Sequence, residues 1–256
     1  DSLGSRRSDA TDILIANNLL ETLWPTQACN HLALQLSTPI RRIRYTENTF
    51  FLNDCYAHSA LILAVPPYTA RKLLAAAPQS LSGNTLLEQL AQFKYRRIAT
   101  LWIELAHPWT SLPPQPMLML EEAPERQAYG QWLFNHAFVR GSRNPNLLAV
   151  VISDANTLEP LPREHIVDCL LKQLARETSC VAPMPPVRGH ALIIEKRATF
   201  AATPGLARPT AQTPWHGILL AGDWTDTGYP AVLEGAVRSG VTAANALLAE
   251  DSWQPS

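Results

Sequence analysis

The chain has 256 residues, of which 46% are hydrophobic, and a formal net charge of -1. This length allows one large domain or two small ones. The near-neutral charge gives no indication of a nucleic-acid partner, and the sequence holds no apolar run long enough to span a bilayer.

Several common site signatures are missing from the sequence. Four cysteines are scattered without a Cys-x-x-Cys pair, and we expect them to be reduced thiols in a cytosolic protein rather than disulfides or metal ligands. These are Cys29, Cys55, Cys169 and Cys180. No His-Glu-x-x-His or Gly-x-Ser-x-Gly occurs, and we expect no metal site. No Gly-x-Gly occurs either, so the dinucleotide-binding fingerprint of a Rossmann unit is absent.

The first part of the chain predicts a short helix and a hairpin. Residues 1–18 resemble the interior of a longer protein. Pro25 is expected to be the first residue of a helix that runs to about Gln35. Residues 38–45 and 49–52 are predicted to be strands of a hairpin, with a turn at residues 47–48.

A strand and a helix are predicted next. Residues 59–65 form a continuous apolar run, which is typical of a strand buried on both faces. Pro66 and Pro67 end this strand, and a helix is expected from Tyr68 to Ala77.

The middle of the chain predicts strands and helices with little alternation. We expect strands over residues 95–105, 117–120, 130–134 and 147–152, and helices over 86–93 and 163–178. This order indicates an α+β substrate domain inserted into another domain. Five large apolar side chains either line an apolar tunnel or belong to the core: Trp102, Met117, Met119, Trp132 and Phe134.

The last part of the chain predicts a strand, an acidic turn and a helix. Residues 217–221 are apolar, Gly222 and Asp223 end the run, and an Ala-rich helix follows a polar loop up to about Ala249. Asp223 is therefore expected at the carboxyl end of a strand, where open α/β sheets bind ligands. The helix N-terminus would present free N–H groups to the same ligand.

This last stretch resembles a known family. Gly-Asp-Trp-Thr-Asp-Thr-Gly-Tyr-Pro at residues 222–230 and Leu-Glu-Gly-Ala-Val-Arg-Ser-Gly at residues 233–240 are similar to the C-terminal motif of the flavin amine oxidase and phytoene desaturase superfamily. Within it, the hydroxysqualene dehydroxylase family is the most similar. Lys-Arg-Ala-Thr-Phe at residues 196–200 and Thr-Pro-Gly at residues 203–205 carry the same resemblance.

The resemblance implies a cofactor and the residues that hold it. The family binds FAD noncovalently and acts on long isoprenoid lipids. By resemblance, Asp223 of the Gly222–Asp223–Trp224 motif holds the ribityl chain. The backbone N–H groups of Val232 and Leu233 contact the flavin ring. Two further contacts are implied upstream: Ile40 with the adenine through its backbone, and the turn at Val65 and Pro66 with the dinucleotide.

Three residues are candidates for the chemistry. Removal of a hydroxyl group needs an acid, and Asp226 is the first candidate because burial near an apolar substrate would raise its pKa. The equally supported alternative is that Asp226 is a loop residue whose carboxylate accepts hydrogen bonds from nearby backbone N–H groups. Tyr229 is the second candidate. Arg197 is expected either to hold an anionic or hydroxyl-bearing group or to be a solvated, ion-paired arginine.

These observations predict a fold and a domain order. We expect an α/β plus α+β fold, in which an incomplete Rossmann-like FAD-binding domain of the amine oxidase type carries an inserted mixed-sheet substrate domain. The predicted segments are residues 1–85 and 195–256 for the FAD-binding domain and 86–194 for the substrate domain. Because the Gly-x-Gly unit is missing, we expect a fragment, one half of a split enzyme or a degraded copy.

The expected activity is reductive removal of the hydroxyl group of hydroxysqualene to give squalene, with an isoprenoid lipid as substrate. An N-terminal FAD-binding half supplied in trans is the expected partner, in the cytoplasm and with peripheral membrane contact left open. A carotenoid desaturase or amine oxidase remains an alternative, as does a noncatalytic remnant or interaction subunit.

Overall fold

A computed structural model describes residues 25–46, 49–76, 81–139, 142–179 and 183–249. The chain divides into two compact units. Unit I comprises the described parts of residues 1–35 and 97–196, and unit II those of residues 36–96 and 197–256. The assignment of these segments to cofactor and substrate domains stays a prediction.

A three-stranded meander begins unit II. Strands β1 (Ile43–Thr46), β2 (Thr49–Leu52) and β3 (Tyr56–His58) pair in antiparallel order. The predicted hairpin is present, but its first strand begins at Ile43 and not at residue 38. Its turn at residues 47–48 lies outside the described residues. The second turn contains Asn53, whose positive φ of 52° suits asparagine. Its side chain accepts a hydrogen bond from the N–H of Arg41 and donates one to the carbonyl of Pro39.

Two parallel strands form the centre of unit II. Strand β4 (Leu61–Leu63) pairs with β10 (Ile218–Leu220). Helices α2 (Pro67–Leu74) and α3 (Leu81–Ala91) follow β4, and α5 (Leu233–Ala249) follows β10. The prediction that β4 is buried on both faces is wrong, because Ile62 is 39% exposed. The neighbouring Leu219 is buried with Ala243 of α5, whereas Ile62 is not covered in this way by any of the described residues.

Unit I is built on a five-stranded sheet. Its strands are β5 (Tyr95–Leu105), β6 (Met117–Met119), β7 (Trp132–Asn135), β8 (Leu147–Ile152) and β9 (Val187–Phe200), in the order β6-β7-β8-β5-β9. Helix α4 (Arg163–Thr178) supplies Ile166, Leu170 and Leu174 to the core of this unit. The predicted strands and helix of this region are confirmed. Residues 95–96 of β5 and 197–200 of β9 belong to unit II.

The predicted N-terminal helix is shorter than expected. Helix α1 (Pro25–Cys29) ends well before Gln35. The apolar residues that follow, Leu32, Leu34 and Leu36, occur at every second position and not at helical spacing, and their side chains are all exposed. They therefore offer no helical stripe to bury.

Cys29, Cys55 and Cys169 are free thiols. Residues 1–18 and Cys180 lie outside the described residues.

None of the helices in the described part of the chain combines the length and the apolar character needed to cross a bilayer.

Candidate functional site

A cavity of about 240 Å³ lies in unit II at the carboxyl ends of β4 and β10. The two strands are parallel, so the segments that follow them, at Val65 and at Gly222, come to the same edge of the sheet. The cavity is lined by residues 64–67, 95, 197–200, 222–224 and 236. The sequence prediction that Asp223 lies at the carboxyl end of a strand is therefore confirmed.

The turn after β10 requires glycine at position 222. Its φ of +149° is rarely adopted by L-residues, and an added Cβ would lie 2.6 Å from Cδ1 of Trp224. The N–H of Gly222 donates to Oγ of Ser239 in α5 at 2.7 Å. The indole N–H of Trp224 donates to the carbonyl of Val65 at 3.1 Å. These bonds fix the turn both to the helix behind it and to the segment after β4.

Asp223 places a half-buried carboxyl group on the cavity wall. Burial raises the pKa of this carboxyl group above its ordinary value of 3.8, while the nearby guanidinium of Arg208 acts in the opposite direction. A carboxylate in this position can accept hydrogen bonds from the hydroxyl groups of a bound molecule.

Arg208 organises the loop that follows Asp223, although no motif in the sequence indicates this role. Its guanidinium donates to the side-chain oxygen of Thr227 at 3.3 Å. It also donates to the backbone carbonyls of residues 223, 224, 225 and 229. The planar guanidinium group presents several N–H donors at once, so it can bond several carbonyl oxygens that lie close together. The loop therefore takes its shape from one arginine placed before β10.

Arg197 and Tyr95 line another part of the cavity, and both contact the ring of Tyr68 outside it. The guanidinium carbon of Arg197 lies 4.2 Å from the ring centroid of Tyr68 and 5.8 Å from that of Tyr95. The two rings are edge to face at 5.6 Å. Burial raises the pKa of Tyr95, and the nearby backbone N–H of Tyr68 partly offsets this. The buried hydroxyl of Tyr95 makes no hydrogen bond of regular geometry with any described residue.

The remaining predicted site residues do not line the cavity. Asp226 has an exposed side chain, and its N–H donates to the carbonyl of Pro209. Its burial beside a substrate stays a prediction. Tyr229 is half-buried beneath the guanidinium of Arg238, 4.9 Å away. Ile40 packs against the core of unit II. Val232 and Leu233, at the start of α5, have exposed side chains.

Leu233 is the first helical residue of α5, and the first helical hydrogen bond at this end runs from the N–H of Ala236 to the carbonyl of Val232. The N–H groups of residues 233–235 precede that bond, so they have no intrahelical acceptor. The exposed side chains of Val232 and Leu233 therefore leave intact the prediction that their backbone contacts a ligand.

Unit I carries an apolar sheet face opposite its core. Strand pairing aligns Trp102 with Ala149, Phe134 and Met117 in one row, and Val151 with Trp132 and Met119 in the next. We call the side chains of Trp102, Met117, Met119, Trp132 and Phe134 the aromatic face. Because side chains alternate across a strand, none of them shares the face of the buried core residues Leu101 and Val150. The interpretation of these five as core is wrong, most clearly for Met119, which is 77% exposed.

Comparison with known proteins gives a family and relatives. A profile of the family described as flavin containing amine oxidoreductase matches residues 10–248. A hydroxysqualene dehydroxylase from Rhodopseudomonas palustris is 37% identical over 194 residues, which cover 74% of this chain and 38% of that protein. A 15-cis-phytoene desaturase from Solanum lycopersicum is 31% identical over 113 residues, covering 41% of this chain and 19% of that protein. The chain thus spans well under half the length of these relatives.

The fold has counterparts among solved structures. An oxidoreductase from Methanosarcina mazei superposes with a TM-score of 0.57 at 12% identity, covering 80% of this chain and 48% of that one. Together with the family match, this similarity confirms the predicted fold class of a Rossmann-like FAD-binding domain with a mixed-sheet insertion.

Proposed function

This chain belongs to the family of flavin-containing amine oxidoreductases, whose cofactor is FAD, and we propose that it forms part of an enzyme that reduces hydroxysqualene to squalene. The reaction replaces an allylic hydroxyl group with hydrogen. The observation that carries this proposal is the cavity around Asp223, because it lies where a Rossmann-like sheet binds its ligand. The identity of 37% with a hydroxysqualene dehydroxylase supports the choice of substrate.

The residues of the cavity fit one end of FAD. Gly222 lets the chain turn tightly at the cavity wall, where a Cβ would meet the ring of Trp224. Asp223 would accept hydrogen bonds from the ribityl hydroxyl groups. The free N–H groups at residues 233–235 would face the oxygen-bearing edge of the ring, where the positive end of the helix dipole favours negative charge. Val65 and Pro66 supply the opposite wall. No Gly-x-Gly is present to bind the diphosphate.

Each unit would contribute a separate part of the chemistry. FAD in its reduced form supplies the hydride. The aromatic face would hold the hydrocarbon chain and exclude water from it. Arg197 keeps a positive charge at the cavity wall, where it would favour an anionic or hydroxyl-bearing group. Asp226, whose side chain is exposed, and Tyr229 are the candidates for the proton donor in this proposal.

A carotenoid desaturase is a second candidate, favoured by the identity of 31% with a phytoene desaturase. Both candidate substrates are long isoprenoids, which the aromatic face accommodates equally. An amine oxidase activity is less well supported. A cationic amine would need a free aromatic ring face, and Arg197 already lies over the ring of Tyr68.

The partner and the location belong to the same proposal. A polypeptide with a Gly-x-Gly-x-x-Gly unit would supply the missing diphosphate contacts, either in trans or as part of a longer chain. An isoprenoid of this length is nearly insoluble in water, so peripheral contact with a membrane would give access to it.

Reconstitution tests the proposal. The chain is co-expressed with a polypeptide that carries a Gly-x-Gly-x-x-Gly βαβ unit, and the purified complex is assayed with hydroxysqualene, phytoene and an amine. We expect a bound yellow cofactor and squalene as the product. Turnover of phytoene or the amine instead would favour the corresponding alternative. A complex without flavin would favour a noncatalytic interaction subunit.

A further inference from the structure

The two-stranded sheet of unit II has one closed edge and one open edge. Along the outer side of β10, Leu219 forms a bridge with Gln212, and the N–H of Leu220 donates to the carbonyl of Ala211. Strand β4 has β10 on one side, and no strand among the described residues pairs with its other side. Its sequence, Leu-Ile-Leu, contains neither a proline nor a charged residue that would discourage pairing. The open edge of β4 can therefore accept a further strand.

Ile62 presents the hydrogen-bonding groups of this edge. The N–H of Leu61 donates to the carbonyl of Gly217, and the carbonyl of Leu63 accepts from the N–H of Ala221. Because the backbone groups of successive residues point to opposite sides of a strand, the N–H and C=O of Ile62 point away from β10. They are the groups to which an added strand would bond.

The side chain of Ile62 lies on the same face of the sheet as α5. Ile62 is in register with Leu219, so the two side chains point to one face. Leu219 is buried there with Ala243 of α5, whereas Ile62 is 39% exposed. The place over β4 and beside α5 is therefore apolar and open to solvent.

Helix α5 exposes an apolar stripe of its own. Val237, Val241 and Leu248 are 47%, 56% and 82% exposed. Their spacings of four and seven positions put them on one side of the helix. We call these three side chains the outer stripe. Exposed apolar side chains that line up in this way indicate a surface for another polypeptide.

The outer stripe is turned towards the open place over β4. On the helical wheel, Ala236 and Gly240 lie between the buried Ala243 and the exposed Val237. Ala236 lines the cavity together with residues 64–67, which follow β4. A Cβ added to Gly240 would meet no neighbouring group within 4 Å. The side of α5 next to β4 thus has room for a second helix among the described residues.

We propose that unit II binds the βαβ unit that the proposed function requires through the open edge of β4 and the outer stripe of α5. The inference rests on that function and deepens it, because it names the docking surface. The first strand of the βαβ unit adds to β4 in parallel and bonds to the N–H and C=O of Ile62. The helix that follows this strand covers the Ile62 side chain and the outer stripe.

A parallel strand is the arrangement that completes the cavity. Its carboxyl end would lie at the same edge of the sheet as those of β4 and β10, so the glycine-rich turn after it would lie beside the cavity of Asp223. Relatives contain polypeptide for this place, since the chain matches only 38% of the length of the Rhodopseudomonas palustris protein. A second copy of this chain offers no such turn, because no Gly-x-Gly occurs in its sequence.

Binding of the Gly-x-Gly-x-x-Gly βαβ polypeptide to the full chain tests this inference. Titration calorimetry measures the affinity of the wild type and of Ile62→Pro. Because the N–H of Ile62 makes no bond to β10, proline leaves the existing pairing intact while it removes the donor that a new strand needs. We expect binding to weaken by at least about tenfold. Ile62→Val keeps the N–H and should bind within about twofold of the wild type.

Two substitutions on α5 test the outer stripe separately. Val241→Glu puts a charge into the contact with the added helix and should weaken binding by at least about tenfold. Thr242→Glu puts the same charge at an exposed position outside the stripe and should leave the affinity unchanged. Hydrogen exchange adds a measurement that needs no variant: the amide of Ile62 should become protected when the βαβ polypeptide binds.

The outcomes separate this inference from the function on which it rests. If the complex forms and both Ile62→Pro and Val241→Glu bind like the wild type, the docking surface is refuted while the proposed function stands. If the variants weaken binding as expected but the complex holds no flavin and does not reduce hydroxysqualene, the proposed function is refuted and the docking surface stands. Exchange at the amide of Ile62 that does not slow in the complex would refute pairing with β4, and the absence of any complex would refute the docking surface as a whole.

Discussion

The indole N–H of Trp224 donates a hydrogen bond to the backbone carbonyl of Val65, 159 positions earlier in the chain. The bond joins the turn after β10 to the segment after β4, and so closes one side of the cavity that holds Asp223. The ring of Trp224 also packs edge to face against Phe93, with centroids 6.0 Å apart. One side chain therefore connects the cavity wall to the core of unit II.

Replacing Trp224 with Phe should destabilise the chain by about 1–3 kcal/mol, because the carbonyl of Val65 loses its partner in a partly buried site. The free energy of unfolding from urea denaturation measures the effect. Trp132→Phe is the matched control, since no hydrogen bond to that half-buried indole is seen within the described residues. Equal losses in both variants would mean that the bond to Val65 contributes little.

Gly222→Ala should destabilise the protein by about 1–3 kcal/mol, because alanine at a φ of +149° is strained and its Cβ meets the ring of Trp224. Gly240→Ala is the control. Gly240 lies inside α5, and a Cβ there meets no atom within 4 Å, so alanine should stabilise the helix by about 0.5–1 kcal/mol. Thermal unfolding distinguishes the expected loss of stability in Gly222→Ala from the expected gain in Gly240→Ala. A stable Gly222→Ala protein would contradict the tight turn.

Arg208→Lys should release the loop of residues 223–229, because an ammonium group cannot reach the converging carbonyl oxygens that the guanidinium holds. We expect faster amide hydrogen exchange in that loop and a loss of about 2–4 kcal/mol. Arg176→Lys is the control, since the half-exposed Arg176 pairs with Glu177 outside that loop and should leave the exchange of residues 223–229 unchanged. Unchanged exchange in residues 223–229 would refute the role of Arg208.

The regular elements could be predicted from the sequence where periodicity and apolar content were unambiguous. Helix α4 and strands β5 and β8 have the predicted limits, since their side chains fill the core of unit I. The Gly222–Asp223 turn was predictable because a strand, a glycine and an acidic residue occur consecutively.

The contacts between distant segments could not be predicted. Arg208 acts on backbone carbonyls 15 to 21 positions away, and backbone acceptors leave no mark in the sequence. Asp226 lies in the loop that these contacts hold, and its side chain is exposed there. Tyr95 lies at the cavity and packs against the ring of Tyr68, 27 positions earlier, a contact that local patterns do not encode.

The raised pKa of Asp223 gives a pH dependence of stability. Below pH 3.8 the carboxyl group is protonated in both the folded and the unfolded chain, so it does not contribute. Between 3.8 and the raised pKa of the folded state, the folded chain holds the proton and the unfolded chain has released it. Stability contributed by this group therefore falls as the pH rises through that window.

Asp223→Asn should remove that fall, so the variant should gain stability relative to the wild type as the pH rises above 3.8. Urea denaturation at a series of pH values measures the difference. Asp226→Asn is the control, because it removes an exposed carboxyl group from the same loop. A difference between Asp223→Asn and the wild type that stays constant over the same range would show that Asp223 is not desolvated.

The chain alone should bind FAD weakly or not at all, because the cavity of unit II offers contacts to the ring and ribityl end only. Asp223 and the free N–H groups at the start of α5 would hold that end, while the diphosphate and adenosine would lack the glycine-rich turn that normally binds them. Absorbance of the purified chain and titration with free FAD measure the affinity. Riboflavin, which has no diphosphate, should bind about as well as FAD does. A tightly bound yellow cofactor in the isolated chain would contradict this prediction, because it would show that this chain is sufficient to bind the whole dinucleotide.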